Sequence, residues 1–154
     1  MKNILLISLV FLSNVAIAGV PRGATEFDLK RVIDGDTVVA SDETRIRLWG
    51  IDTPERNQPH GKSSTKALES LLEGKRLYLE IKDVDRCGRT IGVIHLDDGD
   101  SINLLMVCYG QAWWYERYAK QASDYRSCQE AAQTKRLGLW QEDNPTAPWN
   151  WRRK

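Results

Sequence analysis

Asp36, Arg47, Asp52, Glu55 and Arg89 are residue types that can together hold a hard cation and a phosphate. Asp36 ends the tripeptide Asp34-Gly35-Asp36, just ahead of Thr37-Val38-Val39-Ala40. Asp52 follows Arg45-Ile46-Arg47-Leu48-Trp49-Gly50-Ile51, and Thr53-Pro54 then forces an extended exit that carries Glu55 on a fixed path. If the segments bearing Asp36 and Arg47 pair, the two aspartates converge at one end of a sheet. Converging carboxylates repel unless a cation joins them. Oxygen donors with no neighbouring His or Cys suit calcium or magnesium better than zinc. Arginine suits phosphate because its planar fork donates two hydrogen bonds and cannot lose its charge.

Each residue also has a plainer reading. Arg47 or Arg89 alone would be a surface residue, Glu55 a solvated loop residue, and Asp34 a turn former. Asp34-Gly35 is a good turn dipeptide, and the same tripeptide returns as Asp98-Gly99-Asp100. The second copy lacks an Asp-Thr-Pro-Glu sequence beyond it and reads as a turn. The first copy has Arg47, Asp52, Glu55 and Arg89 in company, which favours a site. Asp34 is read there as a turn residue or one that supports the ligands, not a ligand itself.

The elements that must position these groups are legible from periodicity. Glu26 to Ile33, Thr37 to Ala40, Thr44 to Trp49, Lys75 to Lys82 and Thr90 to Leu96 read as five strands. In the third, Ile46 and Leu48 share one face and Arg45 and Arg47 the other. Helices are expected from Ser63 or Ser64 to Gly74, from Ser101 to Gly110, and from Ser123 to Lys135. The loop between Pro54 and Lys62 is expected to be mobile. Five strands with three helices make an α+β plan, and 154 residues without a linker or repeat make one domain.

Lys2, the apolar run Ile4 to Leu12 and the exit Ala16-Ile17-Ala18 read as a signal peptide over residues 1–18, with residues 19–154 as the mature domain. That run is too short for a membrane anchor. Export to a secreted or periplasmic location favours calcium over magnesium, and no membrane association is expected after removal. Residues 1–18 contribute a single charge, Lys2, so the mature chain has equal numbers of acidic and basic side chains. A polyanionic partner must therefore be held by local charge. Cys108 and Cys128 fall on neighbouring predicted helices and are the expected disulfide, which leaves Cys87 over. A monomer is expected.

The motifs Val32-Ile33-Asp34-Gly35-Asp36-Thr37-Val38, Arg45-Ile46-Arg47-Leu48 through Asp52-Thr53-Pro54-Glu55, and Asp85-Arg86-Cys87-Gly88-Arg89 resemble the staphylococcal (micrococcal) nuclease family. Asn103 to Gly110 and Leu137 to Asn144 add to the resemblance, which covers nearly the whole mature chain. It implies a five-stranded β-barrel of the oligonucleotide-binding (OB) fold with three helices. It also implies a calcium-dependent phosphodiesterase, an endonuclease acting on DNA and RNA and leaving 3′-phosphate ends. By the family's motif, Asp36 and Asp52 hold calcium through carboxylates and Thr53 through its backbone carbonyl, while Arg47, Glu55 and Arg89 are catalytic. Cys87 stands where the family's best-known member has an aromatic residue.

Trp113, Trp114, Tyr115 and Tyr118 could replace that ring as stacking platforms, or pack between helices and barrel. Arg56, His60 and Lys62 are candidate phosphate contacts, whereas His60 and His95 are not placed in catalysis. The last three residues, Arg152-Arg153-Lys154, read as a frayed, solvated end. The rival from another class is a non-catalytic oligonucleotide-binding module, which would not need opposed carboxylates beside a polyanion.

Overall fold

The computed structural model describes residues 19–153, and the expected signal peptide at 1–18 lies outside them. Burial alternates along Arg45–Leu48 and the start of Leu77–Val84, whereas Thr37–Ala40 is buried throughout. β1 (Thr25–Phe27), β2 (Leu29–Asp34), β3 (Thr37–Ala40) and β4 (Arg45–Leu48) come first, followed by the two-residue β5 (Ile51–Asp52). Helix α1 (Gly61–Leu72) leads to β6 (Leu77–Val84) and β7 (Thr90–Leu96), then α2 (Ile102–Cys108) and the short β8 (Trp113–Trp114). The chain ends with α3 (Ser123–Thr134), a 3-10 turn (Gly138–Gln141) and α4 (Pro148–Trp151).

Six strands form one sheet in the order β1-β6-β7-β4-β3-β2, with only β4 and β7 parallel. The expected first strand is divided at Asp28, so that β1 and β2 pair at opposite edges of this sheet. Two peptide units cannot span more than about 7 Å, so the edges are drawn together and the sheet rolls into a barrel. The α+β barrel plan holds, but the sheet has six strands where five were expected, because the first is split, and α4 adds a fourth helix to the expected three. β5 and β8, absent from the sequence reading, pair as a separate antiparallel ribbon.

The barrel interior and the inner faces of α1 and α2 share one core. Val38, Ile46, Leu48, Ile51, Leu68, Leu72, Ile94, Ile102 and Met106 are almost wholly buried in it. Each such side chain contributes about 1.5–3 kcal/mol relative to exposure. Cys108 and Cys128 form a disulfide between α2 and α3, and Cys87 is free and exposed. The buried Asn103 joins three elements: its Oδ1 accepts from the Ile94 N–H, and its Nδ2 donates to the carbonyls of Trp49 and Gly92.

Two expectations about α1 change. The helix begins at Gly61, not at Ser63 or Ser64, because Ser64 is buried and its hydroxyl donates to the Gln111 carbonyl at 2.6 Å instead of capping. The loop before it is also tied down. Gln58 takes the Glu55 N–H on its Oε1 at 3.0 Å and donates from Nε2 to the Thr146 carbonyl. A Cβ on Gly61 would lie 1.9 Å from the Glu55 carbonyl oxygen, so only glycine lets the helix start pack this closely on the loop.

Candidate active site

Asp36 sits in the tight turn between β2 and β3, and the next residue, Thr37, pairs with Arg47 across β3 and β4. The Leu48 N–H donates to the Asp36 carbonyl at 2.8 Å, which fixes the turn on the end of β4. After β4 the chain reverses at Gly50, whose φ of 75° is in the left-handed region. β5 then pairs with β8, Asp52 opposite Trp113. The strand end, the Gly50 reversal and the β5 ribbon thus bring Asp36, Arg47 and Asp52 to one place, as the sequence reading expected.

The carboxylates are deeply buried, Asp36 at 6% and Asp52 at 1% exposure, so each needs compensating charge or hydrogen bonds. Asp36 Oδ2 accepts from the Thr53 N–H at 2.9 Å and the Thr53 hydroxyl at 2.8 Å, and Oδ1 accepts from the Thr37 hydroxyl at 3.1 Å. Arg47 lies between the two aspartates, with Nη1 2.8 Å from Asp36 Oδ2 and Nη2 3.0 Å from Asp52 Oδ1. Burial raises the Asp52 carboxyl above its ordinary range, opposed by the Arg152 hydrogen bond and the Arg47 charge. Burial, then the neighbouring Asp36 charge, raises the Asp34 carboxyl to about 6.

These residues line a pocket of about 680 Å³ together with Thr53, Glu55, Arg56, Lys82, Arg89, Tyr115 and Tyr118. Arg89 reaches it from the β6 to β7 loop, where Asp85 takes its Nε at 2.7 Å and its N–H at 2.9 Å. All six candidates, Asp36, Arg47, Asp52, Thr53, Glu55 and Arg89, therefore meet in one pocket. Lys62 and His60 do not line it. His60 pairs with Glu142 at 3.3 Å, and His95 with Glu80 at 3.1 Å.

Of the aromatic candidates, Tyr115 and Tyr118 line the pocket, and Tyr118 is exposed. Trp114 is buried, and its indole N–H donates to the Ala119 carbonyl at 3.0 Å. Trp113 packs edge-on against Trp140 and Trp149. Those two tryptophans serve packing.

The residue that sequence reasoning missed is Arg152. Expected in a frayed end, it instead directs Nη2 to Asp52 Oδ2 at 2.7 Å and Nη1 to Glu55 Oε1 at 2.7 Å. The signal was present in Pro148-Trp149-Asn150-Trp151, since two tryptophans before a basic end need a surface to cover. Trp149 stacks on Tyr115 with centroids 5.1 Å apart and planes 5° from parallel.

The donors on offer to a metal are all oxygen: the Asp36 and Asp52 carboxylates, with the Thr53 carbonyl the third that the family resemblance implies. The oxygen donors suit a hard divalent ion, and in this structure Arg47 and Arg152 supply the positive charge that the buried pair needs. Among the described residues no cluster of three or more His, Cys, Asp or Glu side chains gathers as a metal cage. Further ligands to such an ion would have to come from water or substrate.

The family model described as Staphylococcal nuclease homologue matches residues 45–142. An "Uncharacterized endonuclease" of Haemophilus influenzae is 36% identical over 157 residues, covering 99% of this chain and 86% of its own length. A "Micrococcal nuclease" of Shigella flexneri is 35% identical over 152 residues, covering 90% of this chain and 87% of its own. An "Uncharacterized endonuclease" of Escherichia coli is 41% identical over 127 residues, covering 80% and 82%. With the barrel, the motif residues and these matches in agreement, the chain belongs to the staphylococcal nuclease homologue family.

Proposed function

We propose that the protein is a secreted or periplasmic, calcium-dependent endonuclease that hydrolyses phosphodiester bonds of DNA and RNA, prefers single strands and leaves 3′-phosphate ends. The observation that carries this reading is the convergence of two buried aspartates, Glu55 and two arginines in one open pocket. Family membership and the nuclease names of the relatives support the same activity.

Phosphodiester hydrolysis needs an aligned water, compensation for charge building on the phosphoryl oxygens, and help for the leaving oxygen. Arg47, held against Asp36 and Asp52, and Arg89, held by Asp85, offer preorganised guanidinium groups for the second need. Glu55 has the chemistry to orient the water and take its proton as general base. Arg89 is assigned charge stabilisation, because a guanidinium is a poor proton donor. Asp36, Asp52 and the Thr53 carbonyl would hold calcium, which when bound supplies Lewis-acid charge to the phosphate.

Arginines recognise phosphates and the Tyr115 and Tyr118 rings can meet bases by their faces, so little sequence preference is expected. An extended single strand fits such a pocket better than a stiff duplex. Export is supported by the apolar start of the chain and by the Cys108 to Cys128 disulfide, which requires an oxidising compartment. No helix among the described residues is long and apolar enough to cross a membrane.

The test is release of acid-soluble nucleotides from denatured DNA and from RNA by residues 19–154, with calcium or with a chelator. Degradation of both, abolished by chelation, is expected. A folded protein that binds single strands but cuts neither would make it a binding module and sink the enzymatic reading.

A further inference from the structure

The end of the chain places a cation on the acidic pair that the proposed function needs for calcium. Residues 143–153 lie beyond the family match, which stops at Glu142. They form a strap fastened at several points. Ala147 and Pro148 are buried, the Thr146 carbonyl accepts from Gln58, and the Trp151 indole N–H donates to Asn57 Oδ1 at 3.3 Å. Trp149 covers one face of Tyr115. These fastenings all precede Arg152 in the chain and hold it over the pocket.

Its guanidinium engages both oxygens of Asp52, Nη2 to Oδ2 at 2.7 Å and Nη1 to Oδ1 at 3.3 Å, and Nη1 also reaches Glu55. Arg47 already takes Asp52 Oδ1 at 3.0 Å. Little of the Asp52 carboxylate is then left for another cation. A guanidinium and a divalent ion a few Å apart on one carboxylate also repel each other.

We propose that Arg152 is a tethered counter-ion which competes with a divalent cation for Asp52 and must leave that carboxylate when the cation binds. The inference rests on the proposed cation site at Asp36, Asp52 and Thr53. Its physical value is in the cation-free protein, where the buried Asp52 would otherwise lose part of its compensation and the site its shape. When Arg152 withdraws, the other fastenings of the strap keep its charge beside the pocket.

The cost to cation affinity follows from occupancy. An arginine docked about nine-tenths of the time weakens the apparent affinity about tenfold. Calcium itself is the probe, titrated calorimetrically into residues 19–154, with circular dichroism as the folding control. Arg152→Gln is expected to bind calcium up to about tenfold more tightly. Trp149→Ala keeps the charge but removes the Tyr115 fastening, and it too is expected to bind more tightly, by a smaller factor. In the unaltered protein, tryptic cleavage after Arg152 is expected to accelerate on adding calcium.

Tightening in Arg152→Gln with none in Trp149→Ala would reduce Arg152 to through-space repulsion and overturn the competition. Equal or weaker binding by Arg152→Gln would overturn it directly, with the calcium site left standing. Binding by Arg152→Gln where the unaltered protein binds none would support it most strongly. No binding by any of the three would remove the cation site itself, and the inference with it.

Discussion

The two Asp-Gly-Asp turns have the same local chemistry and different surroundings. In both, the first aspartate accepts the N–H of the second, at 3.2 Å for Asp34 and Asp36 and at 3.0 Å for Asp98 and Asp100. Each hydrogen bond stabilises a turn in the manner of Asx motifs. There the likeness ends. Asp36 is buried against Arg47 and Thr53, whereas Asp98 and Asp100 are exposed.

The glycines differ as well. Gly99 has φ 92°, a conformation costly for any residue with a Cβ. Gly35 is not in that region, but a Cβ there would lie 2.7 Å from Ser64 Cβ and 2.8 Å from Thr53 Oγ1. The first glycine is kept for space under α1, the second for its backbone angle. A tripeptide therefore sets a turn, and its neighbours decide whether the turn becomes a site.

The contrast can be tested most severely by activity. Asp36→Asn, and likewise Arg47→Ala, Glu55→Ala or Arg89→Ala, is expected to lower nucleotide release about 10²–10³-fold or more. Asp100→Asn is expected to leave it within about twofold. Equal losses at Asp36 and Asp100 would show that the two turns are not distinct in function.

Ligand-linked stability gives the next largest effect. Calcium at about 100 times its dissociation constant is expected to stabilise the protein by about 2.7 kcal/mol, read as a rise in melting temperature. Asp100→Asn should keep that rise and Asp36→Asn should lose it. Gly35→Ala is expected to cost about 1–3 kcal/mol through overpacking against Ser64 and Thr53. Gly99→Ala is expected to cost about 1–2 kcal/mol through backbone strain. Only the first should also disturb nucleotide release, because only Gly35 seats Asp36.

The smallest effect concerns pH in the cation-free protein. The folded Asp34 carboxyl titrates at about 6, above its ordinary range, so the native state binds the proton more tightly than the unfolded state. Stability is then greatest below the unfolded value and falls as pH rises through about 6. Asp34→Asn should flatten denaturation curves over that window by roughly 1 kcal/mol, allowing for partial exposure.

Most of the barrel was readable because alternation of apolar residues reports burial directly. Ile46 and Leu48 face in and Arg47 faces the site, as the period of two requires. The disulfide pair followed from two helices with one cysteine each. What escaped the sequence was short or non-local. β5 and β8 are two residues each, too brief for any period, yet they seat Asp52 opposite Trp113. The loop after Pro54 looked free because Gln58 finds its partner in Thr146, far along the chain.

By itself the sequence determined the strand faces, three of the four helices, the two turns and the residue types of a cation and phosphate site, because each depends on neighbours within a few positions. The tertiary structure alone decided that the first strand serves both barrel edges, that one Asp-Gly-Asp is buried and the other solvated, and that Arg152 reaches Asp52 across 100 residues of chain. Charge and burial at a point in space depend on every segment that arrives there, and local spacing carries no record of the distant ones.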